Sequence, residues 1–313
     1  MGSLRRRTLA LAMLVVVLGA ACTGRDADGP AADTIAGIAT GQVKLSLLVA
    51  QSSLIAGGDD FAFGLVTSDG GLLSGGTPEV WVARDRTSPA MGPFRATPFR
   101  FRPHEHEHGD EETPHSPLTS FYVATVTVPQ PGKWLFAAAI QGQPGGIGTE
   151  SLTVVPTSGA QHPVGARAKP VETPVAKTAT KAKQICTRKP EPDPLHYISL
   201  DDALKSGKPT VVTFATPLLC ESQICGPVVD EVTAAYHEIG KAKANFIHVE
   251  EFLPGPDLEP PAAAFENQSP GFRAWGLQTE PWTFVIDTEG VIRARFEGPV
   301  VASQIEAALQ PLL

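Results

Sequence analysis

Two cysteines five positions apart are the residues best placed to do chemistry in this chain. Cys220 and Cys225 occur in the stretch TPLLCESQICGPVVDEV, between an apolar run at 210–215 that predicts a strand and a stretch that predicts a helix. Open α/β sheets keep their reactive groups at the carboxyl ends of strands. A pair of thiols at such a position suits thiol-disulfide exchange.

The spacing of this pair restricts where Cys220 can lie. In a regular α-helix, residues five apart have Cα atoms roughly 8.6 Å from each other, whereas a disulfide needs about 4.4–6.8 Å. We therefore expect Cys220 in the loop before the helix, or a first helical turn that unwinds when the bond forms. Either arrangement suits a bond that opens and closes.

A second group of chemically active side chains is the stretch RPHEHEHGDEETPHSP at 102–117. Alternating histidines on an extended segment point to one side, and imidazoles together with carboxylates suit Zn²⁺ or Cu²⁺. The stretch falls in an expected long loop, so a solvated polar insertion is the alternative. The metal ligands that it suggests are His104, His106, His108 and His115.

The first residues have the pattern of an export signal. Arginines at 5–7, an apolar run at 9–18 and small residues at 19–21 lead to Cys22. The run is too short to span a membrane permanently, so residues 1–21 are interpreted as a signal peptide. Small residues before a cysteine resemble the bacterial lipoprotein signal, which implies that Cys22 is lipidated and anchors the chain on the extracytoplasmic face of the cell membrane. The alternative is ordinary secretion, with Cys22 removed or left free.

The remaining cysteines would then lie in an oxidising compartment. With Cys22 lipidated, Cys186, Cys220 and Cys225 remain, and an odd number leaves at least one thiol unpaired or reactive. Cys186 could be a third exchange partner, a cap of the folded domain through a disulfide, or an idle thiol.

The composition predicts a multidomain globular chain. At 313 residues it exceeds one average domain of ~100–200 residues, and 42% of its residues are apolar. The 30 glycines and 29 prolines favour turns, β-rich modules and linkers over a helical bundle. A net charge of -8 argues against nucleic acid as a partner.

Residues 41–156 predict a β-sandwich that carries the His-rich loop. Short apolar runs bounded by turn formers are typical of that architecture. The stretches FAFGLVTSDGG and PGKWLFAAAIQG resemble bacterial immunoglobulin-like modules, which implies an immunoglobulin-like β-sandwich acting as a spacer or protein-binding module. Residues 22–40 are small and polar and predict a tether. The apolar runs lie at 43–50, 61–66, 79–83, 121–128, 133–140 and 151–155.

The second half of the chain predicts a linker followed by an α/β domain. Residues 157–194 are rich in Pro, Ala, Thr and Lys without apolar periodicity, which is typical of a flexible linker. Residues 195–313 then alternate helical and strand patterns, which predicts a mixed sheet covered by helices. The predicted strands are 210–215, 245–249, 283–287 and 291–296, and the predicted helical segments are 201–205, 228–239, 262–275 in part, and 303–312.

The cysteine loop and the later stretch GLQTEPWTFVIDTEGVIRARFEG together resemble the thioredoxin superfamily over about residues 195–313. The resemblance implies a thioredoxin-like fold, disulfide exchange with protein partners and no required cofactor. It also implies that Pro281 is a cis-proline facing the redox cysteines. The chain departs from the family in its C-x4-C spacing, where thioredoxins have C-x-x-C, and in Thr213, where thioredoxins carry a buried acid. The usual proton relay is therefore unassigned.

Two alignments of the loop to that family remain open. An ungapped alignment over 214–230 makes Cys220 the nucleophile and Pro227 the proline that kinks the helix. An alignment anchored on the residues CGP makes Cys225 the nucleophile. We adopt the first because it needs no insertion.

The sequence thus predicts a membrane-anchored, extracytoplasmic thiol-disulfide oxidoreductase in which Cys220 attacks a partner disulfide, Cys225 resolves it and Pro281 shapes the binding face. One alternative is a redox-inactive thioredoxin fold that only binds partners. Another is a copper-delivery lipoprotein, because the copper proteins that assemble cytochrome oxidase are also anchored thioredoxin folds. A third is a peroxidase, because C-x4-C resembles one group of peroxiredoxins, although Pro281 stands where their arginine would hold the peroxide.

Overall fold

The computed structural model describes residues 30–103, 118–142, 145–188, 191–220, 223–252 and 268–313. Within these ranges, no helix is long and apolar enough to cross a membrane. The strands are β1 (Ser46–Val49), β2 (Ser53–Ile55), β3 (Asp59–Val66), β4 (Glu79–Ala83), β5 (Met91–Arg95), β6 (Thr97–Arg100), β7 (Ser120–Val126), β8 (Gly132–Ile140), β9 (Gly146–Val155), β10 (Thr210–Phe214), β11 (Asn245–Val249), β12 (Trp282–Ile286) and β13 (Ile292–Glu297). The α-helices are α1 (Ile35–Ile38), α2 (Ala179–Ala182), α3 (Leu200–Ala203), α4 (Cys225–Ile239), α5 (Pro270–Trp275) and α6 (Ala302–Leu309).

Two facing sheets form the N-terminal part of the molecule. One has the strand order β1-β3-β7-β6 and the other β2-β9-β8-β4-β5. Side chains from both sheets meet in one apolar core, where Phe61 of β3 packs against Phe136 of β8 with ring centroids 4.8 Å apart. The predicted β-sandwich is therefore present, and its immunoglobulin-like character stays a prediction.

The apolar runs identified the long strands of the sandwich and missed three short ones, β2, β5 and β6. β5 and β6 lie at sheet edges, hold few buried side chains and contain Pro93 and Pro98. Edge strands tolerate proline because their outer N–H groups need no partner in the sheet. These segments consequently lack the apolar alternation by which a strand is recognised in a sequence.

The C-terminal part is built on a mixed sheet with the order β11-β10-β12-β13. β10 and β11 are parallel, and β12 and β13 form an antiparallel hairpin beside β10. β10, β11 and β12 are buried throughout because helices cover both faces. Successive residues face opposite cores, so Val211 packs with α4 and α6 while Val212 packs with α3 and α5. The predicted α/β layer with a mixed sheet is confirmed.

The segment 157–194 lies against the C-terminal sheet, which differs from the flexible linker that its composition suggested. The Ile292 N–H donates to the Ala166 carbonyl and the Gly165 N–H donates to the Ile292 carbonyl, both at 2.9 Å. Further along, Cys186 and Thr187 are buried. Prolines and small residues also suit an extended segment that follows a sheet edge, so composition alone does not separate the two cases. The domain boundary placed in this segment stays a prediction.

Glu231 of α4 joins the two parts of the molecule. One of its carboxylate oxygens accepts a hydrogen bond from the backbone N–H of Arg102 at 2.7 Å, and the other accepts one from the backbone N–H of Ala302 at 2.9 Å. Phe101 and Phe121 of the sandwich belong to the same apolar core as α4 and α6. The sandwich therefore packs directly on the helical face of the C-terminal sheet.

A second contact between the two parts lies at the end of β13. Arg295 forms a salt bridge with Asp59 of β3 at 3.1 Å. Gly298 has a φ of +83°, and a Cβ atom added there would be 2.4 Å from the Ala50 carbonyl oxygen. The close approach of the two backbones at this point therefore requires glycine.

Candidate redox site

Cys220 and Cys225 form a disulfide just beyond the carboxyl end of β10. Cys220 lies in the loop, and Cys225 is the first residue of α4. Their Cα atoms are 6.0 Å apart, inside the range of about 4.4–6.8 Å that a disulfide needs. The expectation that Cys220 lies before the helix is confirmed.

The two sulfur-bearing residues differ in exposure. Cys225 is fully buried and packs against Ala215 and Val229, whereas Cys220 is half-buried at the edge of that cluster. A partner disulfide can therefore reach Cys220 more readily than Cys225. This difference supports Cys220 as the attacking thiol and Cys225 as the resolving thiol.

The beginning of α4 favours a negative charge. Its N-cap residue, Ile224, makes no side-chain hydrogen bond to the helix, and its first turn holds no acidic residue. The partial positive charge of the helix N-terminus therefore acts on Cys225 and stabilises a thiolate there.

Pro227 is the third helical residue, where its missing N–H interrupts no helical hydrogen bond. The ungapped alignment suggested that Pro227 kinks the helix, but a proline at this position does not kink the helix interior.

Pro281 comes close to the cysteine loop because β12 pairs with β10. Phe214, the last residue of β10, lies opposite Trp282, the first residue of β12, so the loops beyond these ends are neighbours. The Glu280–Pro281 peptide bond is cis, as the resemblance to thioredoxins implies. The Gly298 N–H donates to the Pro281 carbonyl at 2.9 Å and connects this loop to the end of β13.

Glu280 places a carboxyl group beside the disulfide. One of its carboxylate oxygens and the sulfur atoms of Cys220 and Cys225 lie within 4.8 Å of one another. Glu280 is half-buried as a whole, but its Oε2 atom is shielded from solvent and makes no hydrogen bond to the described residues. Leaving a buried polar atom without a hydrogen-bond partner is costly, so its presence beside the disulfide calls for an explanation.

The surroundings of Glu280 raise its pKa. The pKa of Glu280 lies well above its usual range, mainly because the carboxyl group is buried. The nearby carboxylates of Glu251 and Glu250 raise this pKa further. Hydrogen bonds from Thr216 oppose this shift without cancelling it. Glu280 therefore holds its proton at pH values where an exposed glutamate has lost it.

The position that thioredoxins fill with a buried acid holds a threonine here. The hydroxyl of Thr213 lies 3.0 Å from the hydroxyl of Thr283 and 3.3 Å from the carbonyl oxygen of Trp282. Glu280 instead brings an acid to the disulfide from the loop before β12. Glu280 is not among the residues predicted from the sequence; the available signal was an acidic residue directly before Pro281, the proline expected to face the cysteines.

Cys186, the third cysteine singled out in the sequence, does not join this site. Cys186 is buried, forms no disulfide and donates a hydrogen bond from its thiol to Asp193 at 3.1 Å. The predicted lipidation site, Cys22, lies outside the described residues. The same holds for the four predicted metal ligands of the His-rich stretch, His104, His106, His108 and His115.

Comparison with known proteins gives a likeness over part of the chain. No protein-family profile and no curated protein matches the chain. A solved structure of the exposed lipoprotein thioredoxin from Streptococcus pneumoniae is 20% identical, with 37% of this chain and 91% of that one covered and a TM-score of 0.28. A thiol-disulfide isomerase from Corynebacterium glutamicum is 17% identical, with 47% and 96% covered and a TM-score of 0.32. A thioredoxin family thiol:disulfide interchange protein from Chlorobium tepidum is 15% identical, with 47% and 99% covered and a TM-score of 0.26.

The internal geometry of the C-terminal part defines its fold class. It has a parallel strand pair joined through a helix, an antiparallel hairpin beside it, a disulfide at the start of the first long helix and a cis-proline at the adjoining strand. The C-terminal domain therefore has a thioredoxin-like fold, with a cysteine pair between the carboxyl end of β10 and the N-terminus of α4.

Proposed function

We propose that this chain is a membrane-anchored, extracytoplasmic thiol-disulfide oxidoreductase that exchanges disulfides with partner proteins. The observation that carries the proposal is the pairing of a half-buried Cys220 with a fully buried Cys225 beside the enclosed carboxyl group of Glu280. The anchor and the compartment rest on the sequence signal that ends at Cys22.

The first step is an attack by Cys220. Its thiolate attacks one sulfur of a partner disulfide, so that a bond forms between Cys220 Sγ and that sulfur while the partner's S–S bond breaks. The other partner sulfur leaves as a thiolate and takes up a proton from solvent. The exposure of Cys220 allows this step, and the loop carrying Pro281 shapes the face on which the partner lies.

The second step is resolution by Cys225. Ionised Glu280 accepts the thiol proton of Cys225, whose sulfur then attacks Cys220 Sγ and restores the Cys220–Cys225 bond. The remaining partner sulfur leaves as a thiolate and takes up the proton held by Glu280. Two electrons pass from the two cysteines to the partner, which ends as a dithiol, and the reverse sequence oxidises a partner dithiol.

Burial makes Glu280 better suited to this proton transfer than an exposed glutamate would be. A general base is most effective when its pKa approaches that of the group it deprotonates and the working pH. An ordinary thiol has a pKa of about 8.5, several units above that of an exposed glutamate. Because burial raises the pKa of Glu280, it brings the two groups closer.

The other parts of the chain have supporting roles in this proposal. The module at 41–156, immunoglobulin-like in pattern, spaces the redox domain from the membrane or binds partners, and the domain at 195–313 carries out the exchange. The exchange needs no cofactor. Copper or zinc at the His-rich stretch would be an additional property of the N-terminal module.

The experiment that tests the proposal is a redox titration of the full chain in glutathione buffers. Alkylation of each cysteine is read from peptide masses, so the disulfide is followed without altering Cys186. A potential between about -120 and -270 mV would show a working dithiol, because known exchange proteins fall in that range. Resistance to reduction below about -300 mV would show a structural disulfide and would favour the redox-inactive binding module.

A further inference from the structure

Four side chains with metal-binding atoms converge inside the C-terminal part, away from the disulfide chemistry. They are Cys186, Asp193, His196 and His248, and we call them the donor cluster. The sulfur, one carboxylate oxygen and one ring nitrogen from each histidine all lie within 4.8 Å of one another, and all four residues are buried. None of them takes part in the proposed exchange reaction.

The fold brings this cluster together from two places. His248 is the fourth residue of β11, and the other three come from the segment before the sheet. The backbone N–H of His248 donates to the Leu195 carbonyl at 3.1 Å, and the backbone N–H of Leu195 donates to Asp193 Oδ1 at 2.9 Å. The Ala176 N–H donates to the carbonyl of His196 at 2.7 Å. Backbone hydrogen bonds therefore hold the donor atoms in place from several sides.

Asp193 Oδ2 lies at the centre of the donor cluster. It is 2.7 Å from His248 Nδ1, 3.1 Å from Cys186 Sγ and 3.4 Å from His196 Nε2. His196 is 4% exposed, and its Nε2 atom makes no hydrogen bond to the described residues. A buried nitrogen aimed at a carboxylate and a thiol without a hydrogen bond is a free ligand position.

The second ring nitrogen of His248 fixes its tautomer. His248 Nε2 lies 2.9 Å from the carbonyl oxygen of Ala215. Because a carbonyl only accepts, Nε2 carries a hydrogen, and Nδ1 faces Asp193 either with a proton of its own or, in the neutral ring, with a lone pair that can bind a cation. Two acceptors that face each other at 2.7 Å require a proton or a cation between them. Metal-bound histidines typically donate their other N–H to a carbonyl or carboxylate in this way.

The chemistry of the four donors selects zinc. One thiolate, two imidazoles and one carboxylate match the ligands of tetrahedral Zn²⁺, whose neighbouring ligand atoms are ~3.3–3.6 Å apart. Calcium and magnesium instead take mainly oxygen ligands. The two anionic donors, Cys186 and Asp193, neutralise the dication, so the buried site would carry no net charge, which avoids the large cost of burying one. Four protein ligands leave no open position, as in structural zinc sites.

We propose that the donor cluster binds one Zn²⁺ ion as a structural metal of the C-terminal domain. Of the three distances from Asp193 Oδ2, that to His196 Nε2 already matches tetrahedral spacing, and those to His248 Nδ1 and Cys186 Sγ would lengthen when an ion binds. A cavity of about 280 Å³ lined in part by Asp193 and His196 gives an ion a path to them. This proposal is independent of the exchange reaction, because it involves neither Cys220 nor Cys225.

The test measures zinc bound to the purified full chain. Zn²⁺ is added alone, excess metal is removed by dialysis against a competing chelator, and metal content is determined by mass spectrometry. We expect one tightly bound Zn²⁺ in the wild type, and an affinity at least about a hundredfold weaker in His196→Gln and Asp193→Asn. The Cys220→Ser/Cys225→Ser double variant should bind like the wild type. So should a variant with asparagine in place of the His-rich stretch histidines, at positions 104, 106, 108 and 115.

A second measurement identifies the ligands of the metal directly in the wild-type chain. Co²⁺ added to the wild-type chain should give the intense visible bands of a tetrahedral site and a thiolate-to-cobalt charge-transfer band, which Cys186→Ser should remove. Wild-type protein that loses all zinc to the chelator, or that binds cobalt without a thiolate band, would overturn the proposal and leave a proton between His248 and Asp193. Equal zinc affinity in wild type and His196→Gln would overturn it as well, and loss of zinc in the His-rich stretch variant alone would place the metal there.

Discussion

Replacing Glu280 with glutamine removes an ionisable group that lies against the disulfide. The change Glu280→Gln keeps the size of the side chain and its capacity for hydrogen bonding, but the variant cannot lose a proton. In the folded protein, burial raises the pKa of Glu280 well above 4.5, the value of an exposed glutamate. Between those two values the unfolded chain has released this proton while the folded chain still holds it.

This difference in bound protons sets the magnitude. The folded state binds one proton more than the unfolded state, so the free energy of unfolding falls as the pH rises, by about 1.4 kcal/mol per pH unit. The stabilisation is fully present below pH 4.5 and is lost as the pH rises through the folded-state pKa. Glu280→Gln lacks this loss, so its stability relative to wild type should increase at that slope and level off above the folded-state pKa.

The measurement is denaturant unfolding of the oxidised proteins at several pH values between about 5 and 8. The oxidised form is used because the sulfurs of Cys220 and Cys225 then do not titrate. Glu251 and Glu250 face the same carboxyl group, and burial also raises the pKa of Glu251. Glu251→Gln is therefore measured in parallel, and Glu238→Gln, at an exposed position of α4, is the matched control.

Kinetics give a second, independent result for Glu280→Gln. Loss of a general base should slow the resolution of the mixed disulfide by Cys225, on the order of a hundredfold near neutral pH, while the first attack by Cys220 keeps its rate. Parallel stability profiles for the variant and the wild type would show that Glu280 titrates like an exposed acid. Unchanged resolution kinetics would refute its part in proton transfer.

Three further changes test other parts of the structure. Cys225→Ser should accumulate a mixed disulfide between Cys220 and a partner, detected as a covalent adduct by mass, and Cys220→Ser should form none if Cys220 is the attacking residue. Glu231→Ala leaves two backbone N–H groups, one from each domain, without their acceptor, and should lower the free energy of unfolding by about 2–4 kcal/mol in denaturant titrations. Gly298→Ala should destabilise the protein by about 1–3 kcal/mol more than Gly290→Ala, because both positions have positive φ values, +83° and +78°, but only at Gly298 would the added Cβ meet a backbone oxygen of the sandwich. Equal losses at the two glycines would contradict the close approach of the domains.

The position of the cysteine loop could be predicted from the sequence because it depends on residues that are close together along the chain. The spacing of Cys220 and Cys225, set against the geometry of a helix, was sufficient to place the first cysteine in the loop. Pro281 could be placed because it directly precedes an apolar strand in a stretch that resembles thioredoxins. What the spacing did not show was the role of Pro227, whose effect depends on the residue at which the helix begins, and helix boundaries are poorly encoded in a single sequence.

The acid and the donor cluster were not predictable in the same way because tertiary contacts create them. Glu280 differs from other glutamates only through its burial beside the disulfide. The cysteine, aspartate and first histidine of the donor cluster lie in a segment whose composition is typical of a linker, and His248 lies far from them along the chain, in a buried strand. The stretch with the most obvious metal ligands, at 102–117, drew the metal prediction instead.

The two proposed sites act on the same short piece of backbone. Ala215 packs its side chain against Cys225, while its carbonyl oxygen accepts from His248 of the donor cluster. Three residues further on, the Leu218 N–H donates to the hydroxyl of Thr187, at 3.2 Å. The start of the cysteine loop is therefore held by two hydrogen bonds, one to His248 of the donor cluster and one to Thr187 beside it. Neither hydrogen bond involves a sulfur of the disulfide. A metal ion in the cluster would fix the position of the loop backbone without entering the exchange reaction, which is why metal binding and disulfide exchange can be tested and refuted separately.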